Sequence, residues 1–150
     1  MEFSHIPVLK ESTIELLNVR DGLVYVDGTI GGGGHSKAIL EKANISRLVG
    51  IDQDTEALQA AKNNLKDFSN VTFVNNNFRN IDEVFEELGL EKVDGILVDI
   101  GVSSYQIDAA ERGFSFRFDA KLDMRMDKSK SFSAYNVVNE YSEEELSRIL

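Results

Sequence analysis

Leu23-Val24-Tyr25-Val26-Asp27-Gly28-Thr29-Ile30-Gly31-Gly32-Gly33-Gly34-His35-Ser36 is the stretch whose reading decides the fold. It opens with a β-branched and aromatic run that stops at Asp27-Gly28-Thr29, as a buried strand does on entering a turn. Beyond the glycines, Ser36-Lys37-Ala38-Ile39-Leu40 has the pattern of a helix beginning. Glycines without Cβ atoms let the backbone bend tightly and approach a ligand closely. The helix behind them directs its free N–H groups and positive dipole end into the same space. Strand, glycine loop and helix together predict a nucleotide-like ligand at the carboxyl end of a parallel sheet. The plainer alternative is a tight strand-to-helix connection. A single turn, however, does not require five glycines among the seven residues from Gly28 to Gly34.

Outward from this stretch the chain alternates strands and helices. Leu48-Val49-Gly50-Ile51-Asp52 reads as a second strand, followed by a helix from Thr55 with Ala57, Leu58, Ala61 and Leu65 on one face and Asp54 as its cap. Val71 to Val74 reads as a third strand. The helix after it, from Asn80, places Ile81, Val84, Phe85 and Leu88 at i, i+3, i+4, i+7. A fourth strand is expected from Val93 to Ile100. Upstream, Ser12 and Glu15 have capping-box spacing for a short helix, and Ser142 with Glu145 repeats that signature near the far end. Alternation of this kind implies βαβ units and a parallel α/β sheet. Residues 103–136 show no sustained period, which is rare in a compact domain unless the segment is functional. Four strands and a short last helix predict the N-terminal portion of a larger protein, with a core over residues 1–104 and the start of an insertion over 105–150.

Composition narrows the possibilities. With 150 residues the chain suffices for one domain with a real core. There are no cysteines, so disulfides and thiolate metal sites are excluded and a reducing cytoplasmic location is expected. His5 and His35 are the only histidines, and no metal site is expected. No apolar run approaches the roughly 18 residues of a membrane span, and the first residues lack the features of a signal peptide. The net charge of −10 argues against a clamp for nucleic acid along the whole chain. Between Arg112 and Lys130, though, six basic residues face three acidic ones, so the remainder carries −13. Phe114, Phe116 and Phe118 lie within this strip. It suits a nucleic-acid contact, or a solvated loop whose rings pack inward.

The residues with chemical potential lie at the strand ends. Gly28 and Gly31 to Gly34 do not match the G-x-G-x-x-G dinucleotide spacing; they fit an acid at the strand end followed by alternating glycines, Asp27-x-x-x-Gly31-x-Gly33. Asp52 closes the second strand about twenty residues past the loop, where a carboxylate can accept from both hydroxyls of a ribose. Asn77 and Phe78 follow the third strand, where an adenine would rest, although a lone Phe is more often core. Asp99 follows Ile96-Leu97-Val98 and is costly to bury unpaired, so it should face the crevice or a hydrogen-bond donor. His35 reads equally as a helix-start residue whose backbone, not its ring, matters.

Ordered blocks along the chain carry a more specific likeness: His5-x-Pro7-Val8-Leu9, Asp27-Gly28-Thr29 through Gly33-Gly34-His35-Ser36, Gly50-Ile51-Asp52-x-Asp54 and Asn77-Phe78. They continue with Asp94-Gly95-Ile96-Leu97-x-Asp99-x-Gly101-Val102-Ser103-Ser104, Glu111-Arg112-Gly113-Phe114-Ser115-Phe116 and Leu122-Asp123-Met124-Arg125-Met126-Asp127. The chain resembles the bacterial S-adenosylmethionine-dependent methyltransferases of the MraW type, which modify the N4 amine of a cytidine in small-subunit (16S) ribosomal RNA. The resemblance implies a Rossmann-like methyltransferase sheet, of which these would be the first four parallel strands, followed by the start of a helical insertion. It implies S-adenosylmethionine as cofactor, with Gly33, Gly34 and His35 along its methionine part, Asp52 on the ribose, Phe78 near adenine, and Asp99 and Gln106 completing the pocket. Tyr105 stands where the family has proline.

By the same resemblance the substrate is small-subunit ribosomal RNA or the 30S subunit, with the Arg112–Lys130 strip facing it, no membrane is involved, and no oligomeric state follows. Asp99 is the expected catalytic residue, accepting a hydrogen bond from the reacting amine. Two alternatives stay open at this stage: a non-catalytic fragment that binds cofactor or RNA, and an NAD-dependent oxidoreductase, against which the glycine spacing counts.

Overall fold

The computed structural model describes residues 7–150; His5 of the first motif lies outside them. The chain forms two compact units, one ending at Gly101 and one spanning Val102–Leu150. The first begins with α1 (Lys10–Leu17) and continues through β1 (Val24–Asp27), α2 (Gly34–Lys42), β2 (Arg47–Asp52), α3 (Thr55–Asn64) and β3 (Val71–Asn75). A 3₁₀ turn (Phe78–Asn80), α4 (Ile81–Glu87) and β4 (Gly95–Leu97) complete it. All strand pairs are parallel and the order is β3-β2-β1-β4.

Alternation along the strands sorts the core into two layers. Tyr25 and Leu48 join Ile14, Ile39, Leu58 and Leu65 from α1, α2 and the α3 end on one face of the sheet. Their strand neighbours Val26 and Val49, with Ile51, meet Val84 of α4 on the other. Successive side chains on a strand point to opposite faces, so buried strands with both faces covered read as continuous apolar runs. The chain winds from β1 outward to β3, then crosses back to lay β4 on the free side of β1. That reversal puts a switch point between β1 and β4, the place where open α/β sheets bind ligands.

Several boundaries differ from the expectation. β4 is three residues long instead of eight, because the chain leaves the sheet after Leu97. Ser12 does not cap α1; the cap is three residues earlier, at Leu9, in the left-handed region with φ 50°. Asn77 caps a 3₁₀ turn before α4, its side chain accepting from the Arg79 N–H. Asp54 does cap α3, accepting from the Glu56 N–H at 3.0 Å.

The second unit holds α5 (Ser104–Asp108), a 3₁₀ turn (Ala110–Arg112), α6 (Ala134–Glu140) and α7 (Glu143–Ile149). Three capping boxes start its helices: Ser103 with Gln106, Ser133 with Asn136, and Ser142 with Glu145. Residues 103–136, aperiodic in sequence, are ordered around the side chain of Arg112, which is 1% exposed. Its Nη2 donates to the carbonyls of Arg125 (3.0 Å) and Met126 (3.3 Å). Arg112 O in turn accepts from the Met124 N–H. Gly113 lies against Lys121 O and Asp123 N so closely that a Cβ there would overlap them.

Candidate functional site

The site grows from the end of β1. Asp27 is 2% exposed, and its two carboxylate oxygens accept from the Thr29 N–H (3.2 Å) and from the Ser36 hydroxyl (2.7 Å). Burial pushes this carboxyl up to about 6, against a pull downward from those two donors and from nearby His35. The turn after it is stitched to both neighbouring strands. Gly28 N–H donates to Leu97 O (2.8 Å), Ile30 N–H donates to Ile51 O (3.0 Å), and Asp99 N–H donates to Thr29 Oγ1 (2.7 Å).

Gly33 takes φ +83°, a conformation that favours glycine, and acts as the N-cap of α2 without a side chain to offer. The first-turn N–H groups of α2 therefore receive no cap from it, and an anionic group is favoured there. Asp52 ends β2 beside this loop. Its Oδ2 accepts from Gly31 N–H and its Oδ1 from Asp54 N–H, each at 2.9 Å. Partial burial raises its pKa, opposed by those N–H donors. The Gln53 N–H is directed at it as well, so Asp52 holds the loop and still has acceptor capacity for a hydroxyl donor. Phe78 is half-buried, with its Cβ 3.3 Å from where a side chain on Gly28 would stand. Asn77 beside it donates to the Gln53 side chain at 2.8 Å. Asp99 is exposed just beyond β4.

The fold thus brings Gly33, Gly34, His35, Asp52, Phe78 and Asp99 to the carboxyl ends of neighbouring strands in the first unit. The His35 ring does not line the loop alone: its Nε2 lies 2.9 Å from Val8 O. Gln106 belongs to the second unit, buried, with its Oε1 accepting from Ser103 N–H at 3.0 Å. A capping box makes that turn, so Tyr105 in place of proline is accommodated in a regular helix.

The basic strip of the second unit divides. Arg112 is buried in its clasp and cannot reach a partner. Arg125 is pinned by Asp123, with Nε and Nη2 donating at 2.8 and 2.6 Å, and by the carbonyls of Lys128 and Lys130. This pairing holds Asp123 down to about 2. Arg117, Lys121, Lys128 and Lys130 remain exposed, and the Phe116 ring is fully exposed. Of the six basic residues of the strip, four are therefore surface cations on a loop organised by the other two.

Against known proteins, the model of the MraW methylase family matches residues 2–150. The chain belongs to the MraW methylase family. Two relatives from Clostridium botulinum, each named ribosomal RNA small subunit methyltransferase H, are 62% and 61% identical to it. They are matched over 99% and 100% of this chain, which spans about half their length (48% and 49%). Among solved structures, a candidate rRNA-methylase from Clostridium thermocellum has TM-score 0.51 at 20% identity, covering 67% of this chain and 57% of its own. NSun6 from Pyrococcus horikoshii, solved with SFG, has TM-score 0.52 at 23% identity, covering 63% and 24%. At these identities the structures speak for the Rossmann-like fold alone.

Membership of the MraW methylase family removes the ground for the oxidoreductase alternative. Four contacts escaped the sequence reading: Ser36 on Asp27, Thr29 on the Asp99 backbone, His35 on Val8 O, and the Arg112 clasp. A strand-ending acid with a hydroxyl residue at the next helix start was the available signal for the first. No local signal marked Arg112 as interior, since arginine is rarely so buried. Among the described residues, no helix is long and apolar enough to cross a membrane.

Proposed function

We infer that this MraW family chain carries the cofactor-binding part of an enzyme that transfers a methyl group from S-adenosylmethionine to the N4 amine of a cytidine in 16S ribosomal RNA. The observation that carries the reading is Asp52, whose two oxygens hold the glycine loop at Gly31 and the start of α3 at Asp54 while keeping acceptor capacity for a ribose hydroxyl. The glycine turn at the head of α2 offers uncapped N–H groups to the carboxylate of the methionine part. The half-buried Phe78 provides an apolar face for adenine. This donor and acceptor set fits an adenosyl ligand.

When bound, S-adenosylmethionine supplies a methyl group on a cationic sulfur. The chain's own residues would do the rest. The backbone of Gly33, Gly34 and His35 would bound the methionine part, and Asp52 would fix the ribose. Asp99, anchored through its backbone to Thr29 and open to solvent at its side chain, would accept a hydrogen bond from the cytidine amine and offset the positive charge arising there. The cytidine must be unstacked to present its amine. Arg117, Lys121, Lys128 and Lys130, with the exposed Phe116, would contact the RNA. A cytoplasmic location fits such a substrate.

Tritiated methyl incorporation into undermethylated small subunits, with the product nucleoside identified by chromatography, tests the reading. Label in N4-methylcytidine is the expected result. Uptake of S-adenosylhomocysteine without methyl transfer would favour a fragment that binds without catalysing. Failure to take up S-adenosylhomocysteine in calorimetric titration would overturn the cofactor assignment.

A further inference from the structure

The chain just ahead of α1 lies directly on the start of α2, and nothing in the methyl-transfer reading uses that contact. Pro7 fills the space that any side chain at position 34 would need: a Cβ on Gly34 would stand 2.5 Å from Pro7 Cγ. The next carbonyl, Val8 O, faces the His35 ring with Nε2 at 2.9 Å. A carbonyl oxygen only accepts, so Nε2 carries the proton and donates. Leu9 then turns through φ 50°, ψ 30° and begins α1 with no side-chain cap. Left-handed backbone is unfavourable for leucine and persists only where surrounding contacts impose it. Val8 and Leu9 are 63% and 73% exposed, so burial of their side chains does not impose it. The contacts seen around it among the described residues are Pro7 on Gly34, Val8 O on His35, Leu9 O accepting from the Thr13 N–H, and Ile14 of α1 in the core.

We propose that residues Pro7–Leu9 form a strap over the head of α2, and that His35 is its latch. In this role His35 is a positioning residue: its ring retains an adenosyl ligand by fastening the strap, not by touching the ligand. The proposal rests on the cofactor reading above and goes beyond it in giving the ring a different partner. It also explains why an imidazole follows four glycines. The residue must project far enough from the helix start to reach a neighbouring segment and must end in a donor.

Calorimetric titration of S-adenosylhomocysteine into the full chain tests this, using His35→Ala, Pro7→Gly, the double variant and His35→Gln. Losing one such hydrogen bond should weaken binding about three- to tenfold. Pro7→Gly, which loosens the strap from the other side, should weaken it similarly. The double variant should be no worse than the poorer single, because both remove the same fastening. The side-chain amide of His35→Gln can replace the Nε2–H donor and should restore affinity.

In the ligand-free protein, trypsin cleavage after the exposed Lys10 should quicken in His35→Ala and Pro7→Gly and return to the wild-type rate in His35→Gln. Additive losses in the double variant would mean that the ring contacts the ligand itself, and the latch would be refuted. Faster cleavage with unchanged affinity would equally refute a role in ligand retention. If the unaltered protein took up no S-adenosylhomocysteine, the cofactor reading would fall first and the retention role with it.

Discussion

Replacing Asp27 by asparagine removes one buried charge while keeping the size of the side chain and an acceptor oxygen. The native carboxyl titrates near 6, against an ordinary value of 3.8 that the unfolded chain retains. Between about pH 6 and pH 4 the folded protein therefore takes up a proton that the unfolded chain does not yet hold. For this group alone, stability rises as the pH falls through that window. Above pH 7 both states are ionised and the fold bears the whole penalty. At about 1.4 kcal/mol per pH unit, that is roughly 3 kcal/mol.

Asparagine escapes this penalty but has only one acceptor oxygen: Oδ1 can keep the Thr29 N–H, while Nδ2 can only donate to Ser36 Oγ, and reversing that bond gives back about 1 kcal/mol. Asp27→Asn should accordingly be more stable by about 2 kcal/mol at pH 7.5, raising the melting temperature by about 4–8 °C for a chain of this size. The advantage should shrink to nothing by about pH 4.5. Unfolding both proteins in urea across pH 4.5–8 measures the difference. A gap that does not change with pH, or a variant less stable at pH 7.5, would refute the reasoning. A charge kept at such a cost implies use. The variant should lose more affinity for cationic S-adenosylmethionine than for neutral-sulfur S-adenosylhomocysteine, as titration of both ligands will register.

Three further outcomes follow from individual contacts. A Cβ at Gly50 would overlap Ile30 Cδ1, which is buried above β2, so Gly50→Ala should cost about 1–3 kcal/mol in thermal unfolding, and Ile30→Val in the same chain should recover part of it. Asp52→Ala frees the Gly31 and Asp54 N–H groups and removes the proposed ribose acceptor; affinity for S-adenosylhomocysteine should fall by about a hundredfold in titration, consistent with losing hydrogen bonds to a charged group. Arg112→Met keeps the volume but leaves the carbonyls of Arg125 and Met126 without their donor. Amide exchange at Met124 and Ala134 should then accelerate about ten- to hundredfold, while the amides of β1 and β2 stay protected.

The sheet was legible because its strands are short apolar runs, two of them ended by aspartate, separated by helical periods of ordinary length. Leu48-Val49-Gly50-Ile51-Asp52 and the α3 cap at Asp54 are local signals, and the structure agrees with both. The fourth strand was overread for a physical reason. Ile96-Leu97-Val98 is apolar enough to continue, but the chain must leave the sheet at Val98 so that the Asp99 N–H can meet Thr29, a contact 70 residues distant in sequence. Residues 103–136 looked structureless because their order comes from one buried guanidinium bonding to backbone carbonyls 13 and 14 residues away. Such a clasp has no periodicity to detect. The His35 ring likewise met a carbonyl 27 residues away, and no local pattern indicates where an imidazole will find its acceptor.

Three aspartates end, or closely follow, three neighbouring strands, and the fold gives each a different environment. Asp27, on central β1, is enclosed and has its oxygens met by Ser36 and Thr29, so its carboxylate can act on a ligand only through its field. Asp52, on β2, is half-buried and bonded only to N–H groups, which orient it without exhausting its capacity to accept. Asp99, past the short β4, is tied by its backbone and leaves its carboxylate in solvent, where an incoming group can reach it. The gradient follows from topology. β1 and β2 each lie between two strands, but β2 ends beside the glycine loop, and β4, with a single strand neighbour, stops early at the switch point. One residue type thus yields a buried charge, a hydroxyl acceptor and an accessible base-like oxygen along a single sheet edge. In the proposed reading, these are the three roles that an adenosyl sulfonium and an amine nucleophile together would require.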